Sequence, residues 1–487
     1  MAGKGNSVEA ADGGPSIRTS VAAAKDTPRY TYLVAAMAAI GGMLFGYDIG
    51  VISGAENLLK STFGLSSGTE ELAVAAVLIG AVIGGMIGGP MANRFSRRYT
   101  LLAMAILYAI GAVLTSVSFD LVSFVVFRIV TGVAVGASSL VVPMYIAEMS
   151  PVRIRGGLVI LQQLAISGGI LISYLLDYAF DSAGWGWRPM FAAAVLPATA
   201  LAIGMMVMSH SPRWLGLRGR WGEAGAVLER INPREKQQEL DLLQRNVEES
   251  AETSWRELLR PGMRGALIAG VGLAILQQFV GPNTVLFYTP TIFGYAGVSG
   301  NPLIPTIYVG AVLFVFVLPT IAFVDVVGRK VLFYLGLIGM GSMLVLLGVA
   351  FAVGPKSWGV GVLLILLVYV ACYSLSISSL FWLMSAEVFP NRLRGAGASA
   401  STVANWSANL LVTVTFLSMI DAVGKSWTFW IYAIFAALAI LFIARFVPET
   451  RGRPLESIDR YWTEGRRWPS DTPSDRAAGR PAPHPPS

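Results

Sequence analysis

Cysteine, histidine and charge are what this chain has least of. Its single cysteine, Cys372, leaves no partner for an intramolecular disulfide and no cluster of thiolate ligands. Two histidines, His210 and His484, are too few for a histidine-bound metal or a catalytic triad, so neither a metal nor a cofactor is expected. Charged residues make up 13% of the chain against 54% hydrophobic ones, too apolar a balance for an ordinary soluble domain. No period-two runs mark barrel strands, so membrane crossings must be helices, which satisfy their own backbone groups in lipid. What is abundant is small: 53 glycines, with many alanines and serines, let helices approach closely. The net charge of +7 lacks a basic–aromatic surface for nucleic acid and suits loops facing anionic lipid.

Apolar runs predict twelve spans, at 30–54, 70–92, 100–118, 121–147, 157–180, 188–208, 264–294, 303–325, 331–353, 358–386, 395–423 and 426–447. The first 27 residues are polar and show no cleavable signal pattern, so the first run reads as a retained span. Residues 209–263, with nine basic and nine acidic side chains, form the one long polar connection, and "EKQQELDLLQRNVEES" within it reads as an amphipathic helix. The Pro-rich end "RPAPHPPS" reads as disordered. Lys and Arg collect at the N-terminus, after spans 2, 4, 8 and 10, in the long connection and in the tail, which predicts that both termini and that connection are cytoplasmic.

A duplication orders these spans. "AEMSPVRIRG" at 147–156 returns as "AEVFPNRLRG" at 386–395, closing spans 4 and 10, and "NRFSRR" at 93–98 is echoed by "DVVGRK" at 325–330, closing spans 2 and 8. Each pair falls at the same place in a six-helix half. The expected fold is therefore all-α, two six-helix halves around a central pathway, the architecture of a rocking transporter. Its pieces would be a disordered cytoplasmic N-terminus (1–29), an N-terminal half (30–208), a helical cytoplasmic linker (209–263), a C-terminal half (264–447) and a largely disordered tail (448–487).

One anomaly stands in span 1, where "LFGYDIGVISG" places Asp48 inside an apolar helix. Counting residues at 1.5 Å each puts Asp48 and Arg128 of span 4 at the same depth, about 10 Å below the outer surface. Each alone is costly there, so the two should pair. A static ion pair is one reading. The other is a switch, in which a proton on Asp48 frees Arg128 and loosens one contact between helices.

Together with "GGPMANRFSRR", "FRIVTGVAVGASSLVVPMYIAEMSPVRIRG", "LQQLAISGG", "QQFVGPNTVLFY", "VDVVGRK", "FWLMSAEVFPNRLRG" and "PETRGRPLE", that stretch resembles the sugar porters of the major facilitator superfamily over roughly residues 30–460. The resemblance implies the major facilitator fold and transport of a monosaccharide or polyol, by proton symport or passive facilitation. Because proton-coupled members carry an aspartate at the Asp48 position, it favours symport, with Asp48 and Arg128 as the coupling pair.

A neutral, polyhydroxylated substrate is best met by amides, which donate and accept together, and by aromatic faces. Gln163 of span 5, Gln277, Gln278 and Asn283 around the Gly281-Pro282 break of span 7, and Asn405 of span 11 supply the amides. Trp382, Trp406 and Phe45 supply the rings. The resemblance places these residues at the family's sugar site, while Asn409, one turn beyond Asn405, reads as structural. Departures from the family pattern put the particular sugar in question: Ser378-Ser379 replaces a Gly-Pro, Leu313 an Asn, Phe287 a Tyr, and "SHSPRW" a "PESPRW".

Arg94, Arg97, Arg98, Glu148, Arg153 and Arg155, with Glu387, Arg392 and Arg394, are candidate gating residues, ion pairs that latch the halves on the cytoplasmic side. The expected partners are sugar, protons and lipid, with no nucleic acid, and the chain is expected to act as a monomer in the cell membrane. A passive facilitator of the same fold, a drug exporter of the same superfamily and a membrane sugar sensor are the alternatives. No nucleophile–base pattern suggests an enzyme.

Overall fold

A computed structural model describes residues 28–151, 154–251, 255–298, 300–354, 358–390, 393–451, 457–466 and 468. The expected disordered N-terminus, all but two residues of it, most of the tail, and Arg153 and Arg392 lie outside the described residues. Among the described residues, twelve helices are long and apolar enough to cross a membrane, matching the expected number and order. They are span 1 (Arg29–Phe63), span 2 (Ser67–Phe95), span 3 (Arg97–Ser116), span 4 (Leu121–Glu148), span 5 (Arg155–Ser182), span 6 (Arg188–Ala192 and Val195–Val207), span 7 (Arg264–Phe279 and Pro282–Phe287), span 8 (Leu303–Val327), span 9 (Arg329–Val353), span 10 (Gly359–Tyr373 and Ser379–Glu387), span 11 (Arg394–Val423) and span 12 (Lys425–Phe446).

Span 1 runs nine residues past its expected end at 54. Its polar last turns carry Glu56 and Lys60, and the helix closes only at Gly64, which takes a left-handed conformation and returns its N–H to the Lys60 carbonyl. Apolar content alone could not see that extension, because the added turns are polar yet Glu56 is buried. Span 4 starts at a capping box, where the Ser123 hydroxyl and backbone N–H hold the Asp120 carboxyl below the usual carboxylate range.

Two spans break where they reach the centre of the bundle. In span 7 Gly281 adopts φ 85°, open to glycine at little cost, and Pro282, without an N–H to place, starts the next helix, which is followed by a further turn from Thr289 to Ala296. Span 10 opens differently: residues 374–378 form one π-helical turn, with no proline or glycine in it. The Ser374 hydroxyl anchors that turn by donating to the Leu313 carbonyl of span 8 (2.7 Å).

Within the first half, span 1 lies along span 5 and span 2 along span 4; between halves, span 2 lies along span 11 and span 5 along span 8. Backbones nearly touch at the first of these, where a Cβ on Gly46 would run into the Ile166 carbonyl oxygen. The linker folds as helices Pro212–Leu217, Trp221–Ile231 and Lys236–Ala251. Within the described part of the tail, helix Ser457–Thr463 buries Trp462, whose indole N–H donates to the Val388 carbonyl (2.8 Å).

The duplication reaches into the backbone. Ser96 (φ 90°, ψ 156°) and Gly328 (φ 98°, ψ 150°) occupy equivalent positions before spans 3 and 9, in a region almost reserved for glycine. The next residues, Arg97 and Arg329, each donate to a carbonyl five residues earlier, Ala92 and Val324, both at 3.2 Å.

Candidate sugar and proton sites

Between the halves lies a cavity of about 30 Å³, and all eight candidate substrate residues line it: Phe45, Gln163, Gln277, Gln278, Asn283, Trp382, Asn405 and Trp406. The break in span 7 turns its amides inward and offers them to one another in sequence. Asn283 donates to Gln278 (2.8 Å), Gln278 to Asn405 (3.2 Å), and Asn405 to Gln277 (2.9 Å). Gln163, from the other half, donates to the Ser378 hydroxyl (2.7 Å). Phe45 meets Trp406 edge to face at 5.0 Å, and the Trp406 indole reaches across the halves to the Ser139 hydroxyl (3.1 Å). Such a wall can exchange each internal amide bond for one to a ligand hydroxyl without leaving a charge unpaired. Asn409 stays outside the cavity and accepts from Thr413 (3.2 Å).

Asp48 and Arg128 meet as the depth count predicts. The guanidinium donates from both terminal nitrogens to both carboxylate oxygens, with the Nη2–Oδ2 bond at 3.0 Å, and it stacks over Phe191 at 5.3 Å. Both residues are at least 97% buried. Neither lines the cavity, but Phe45 and Ile49, one turn before Asp48 and immediately after it, both do. Span 1 therefore carries the ion pair on one face and cavity wall on another.

On the face that carries the linker, Glu148 is paired by Arg97 of the expected cluster and Glu387 by Arg329, which lay outside it. Arg97 bonds Glu148 (2.9 Å) and Arg329 bonds Glu387 (3.3 Å). Arg94 is exposed over the Phe95 ring, Arg98 donates to the Met205 and Met206 carbonyls at the end of span 6, and Arg394 is half-buried at the start of span 11. Both ion pairs stay inside one half, because Arg97 and Arg329 begin the helices that stand beside Glu148 and Glu387. The usable signal was the alignment of "NRFSRR" with "DVVGRK", which sets these two arginines at the same position. Sequence reasoning also missed Glu449, whose carboxylate accepts from the first N–H groups of span 9, at Arg329 (3.2 Å) and Lys330 (3.0 Å).

Further hydrogen bonds between the halves lie at the opposite face. Glu71 accepts from the Ser418 N–H (2.7 Å) and hydroxyl (2.6 Å), Thr291 donates to Glu56 (2.9 Å), and Asn301 donates to Asp181 (2.9 Å). Nearer the cavity, Tyr174 donates to the Leu286 carbonyl (3.0 Å). This face is closed by polar contacts.

Two six-helix halves around a buried, uncharged, amide-lined cavity define a membrane transporter for a small polar solute. The family described as "Sugar (and other) transporter" matches residues 34–462. The chain is 35% identical over 442 residues to the arabinose-proton symporter of Bacillus subtilis, covering 89% of this chain and 95% of that protein. It is 36% identical to the D-xylose-proton symporter of Escherichia coli, covering 89% and 96%. The solved structure of the proton:xylose symporter XylE bound to 6-bromo-6-deoxy-D-glucose superposes with a TM-score of 0.79 at 35% identity, covering 89% of this chain and 99% of that one. The chain belongs to the sugar porter family of the major facilitator superfamily, whose work is sugar transport.

Proposed function

We propose that this protein imports a monosaccharide or related polyol by proton symport, alternating access to the amide-lined cavity, with Asp48–Arg128 as the proton-coupling pair. The observation that carries this reading is the position of the pair: fully buried, doubly hydrogen-bonded, and on the same helix turn as the cavity residues Phe45 and Ile49. A proton on Asp48 removes its charge and half of what Arg128 binds, so span 1 loosens from span 4 and the wall formed by Phe45 and Ile49 moves with it. Proton and sugar then bias the same two-state element. The linker face is cytoplasmic in this reading, supported by the Lys and Arg it carries, and the chain works as a monomer in the cell membrane. Arg97–Glu148 and Arg329–Glu387 stiffen each half at that face, so that the halves rock as units.

The test is uptake into proteoliposomes under an imposed pH gradient. The wild type should accumulate sugar above equilibrium, while Asp48→Asn should lose accumulation and keep sugar exchange. Gradient-driven accumulation by Asp48→Asn removes Asp48 from coupling, and a wild type that only equilibrates sugar is a facilitator.

A further inference from the structure

Of the hydrogen bonds among the described residues, that from Gln163 Nε2 to Ser378 Oγ (2.7 Å) has both ends on the cavity wall and one in each half. Gln163 is 92% buried, and its carboxamide oxygen has no hydrogen-bond partner. Ser378 is 98% buried and closes the π-helical turn of span 10, where the extra residue in the turn sets its side chain against the cavity. A serine hydroxyl has one hydrogen and two lone pairs, so accepting from Gln163 leaves Ser378 able to donate and accept again.

Size adds a second constraint. A water needs roughly 10–15 Å³ of such space, so the cavity of about 30 Å³ holds two or three waters and is several times too small for a monosaccharide. To admit one the walls must part, and the Gln163–Ser378 bond joins the walls directly. A sugar hydroxyl entering between them finds a donor, an unpartnered acceptor and a second hydroxyl already aimed at its position.

We propose that Ser378 is a sugar-contacting residue that sets substrate specificity: its bond to Gln163 holds the cavity contracted, and one ring hydroxyl of the sugar replaces that bond by bridging the two side chains. This rests on the sugar-carrier reading above and adds to it the part of the sugar that is recognised. Leu313, also on the cavity wall and one turn from Ser378 through the Ser374 bond, offers no polar side-chain group beside it.

The experiment measures binding to purified full-length protein in nanodiscs. Xylose, arabinose, glucose and galactose are tried first, then every monodeoxy analogue of the tightest. In the wild type one analogue should bind more weakly than its parent by about fivefold or more, as a lost hydrogen bond of ordinary strength requires. Ser378→Ala should bring that ratio to within about twofold while the other analogues keep theirs, the cancellation expected when both partners of one bond are absent. Ser378→Thr, which keeps a hydroxyl, should preserve the ratio. So should Ser376→Ala, which alters the same turn away from the cavity. If Ser378→Ala does not fold, Ser378→Gly removes the hydroxyl with no added bulk and is read the same way. A wild type that binds sugar together with a hydroxyl-free variant whose ratios are unchanged overturns the role of Ser378 and leaves the carrier reading standing. A wild type that binds none of the four sugars overturns both.

Discussion

A guanidinium and a carboxylate that are each almost wholly buried depend on one another far more than the fold depends on the pair. Removing one partner strands the other charge in a dry site, which costs about 3–5 kcal/mol, whereas replacing both with apolar residues is often close to neutral. Arg128→Met should therefore lower thermal stability in detergent sharply, and Asp48→Asn in the same chain should recover most of the loss. Equal melting temperatures for the single and double variants would mean that Asp48 is not what Arg128 neutralises. Gln278 invites a parallel argument with a different readout, since it both accepts from Asn283 and donates to Asn405. Gln278→Ala should weaken sugar binding at least about tenfold, equivalent to 1.4 kcal/mol, and wild-type affinity would take Gln278 out of the site. Both residues were legible in the sequence, for a shared reason. An ion or amide inside a long apolar run stands out against its surroundings, and depth along a helix is obtained by counting. Ser378 was visible only as a departure from a family pattern, because a serine in a membrane helix is ordinary until its partner across the cavity is known.

Among the elements, helix contacts with no room between them make the sharpest predictions. Gly46→Ala should push spans 1 and 5 apart, since its Cβ would meet the Ile166 carbonyl oxygen, at a cost of about 1–3 kcal/mol for overpacking. A thermal-shift measurement that shows no loss would mean the two helices part freely there. The junction of the linker with span 3 responds instead to pH. His210 stacks on Trp214 (4.9 Å) and lies 3.0 Å from the Ser96 hydroxyl, and burial, then Arg98 and Arg220, pushes its imidazole below the ordinary histidine range. With the folded value below the unfolded one, this contribution to stability is fully present above the unfolded pKa, about 6.5, and is lost as pH falls through the folded value. The wild type should lose more stability than His210→Gln between neutral and mildly acidic pH, and parallel curves would exclude His210 as the source. Element boundaries were legible where they coincide with a change in polarity or with Gly281-Pro282. They were not where polar turns are buried, as at Glu56, or where span 10 opens through a π-helical turn that no glycine or proline announces. Arg329, which pairs with Glu387, was missed because helix phase, which basic residues in a row do not reveal, decides which of them faces the partner span.

At the scale of the whole molecule, a set of polar contacts between the halves lies at the face opposite the linker, and such contacts favour closure of that side. Four side chains at the face opposite the linker, Glu56, Glu71, Asp181 and Asn301, tie spans of one half to the other. At the linker face, among the described residues, small residues bring the halves close, as where a Cβ on Gly89 would stand 3.2 Å from the Ser399 hydroxyl, and the pairs Arg97–Glu148 and Arg329–Glu387 each stay within a half. Nothing local in the sequence foretold this, because each bond joins residues more than a hundred positions apart. A two-state carrier responds to the difference in free energy between its states, so each bond made in one state alone should shift the balance by about two- to tenfold when removed. A reporter made by Leu286→Cys, on the cavity wall, in a chain carrying Cys372→Ser, reads that balance through labelling by an impermeant thiol reagent applied at the face opposite the linker. Glu71→Ala should raise the labelling rate, and Glu71→Ala with Asn301→Ala should raise it further. Arg97→Ala, which breaks a pair inside one half, should leave the rate unchanged. If Arg97→Ala accelerates labelling as much as Glu71→Ala does, closure depends on the stiffness of each half; if only the variants at the opposite face do, it depends on the bonds that cross between them.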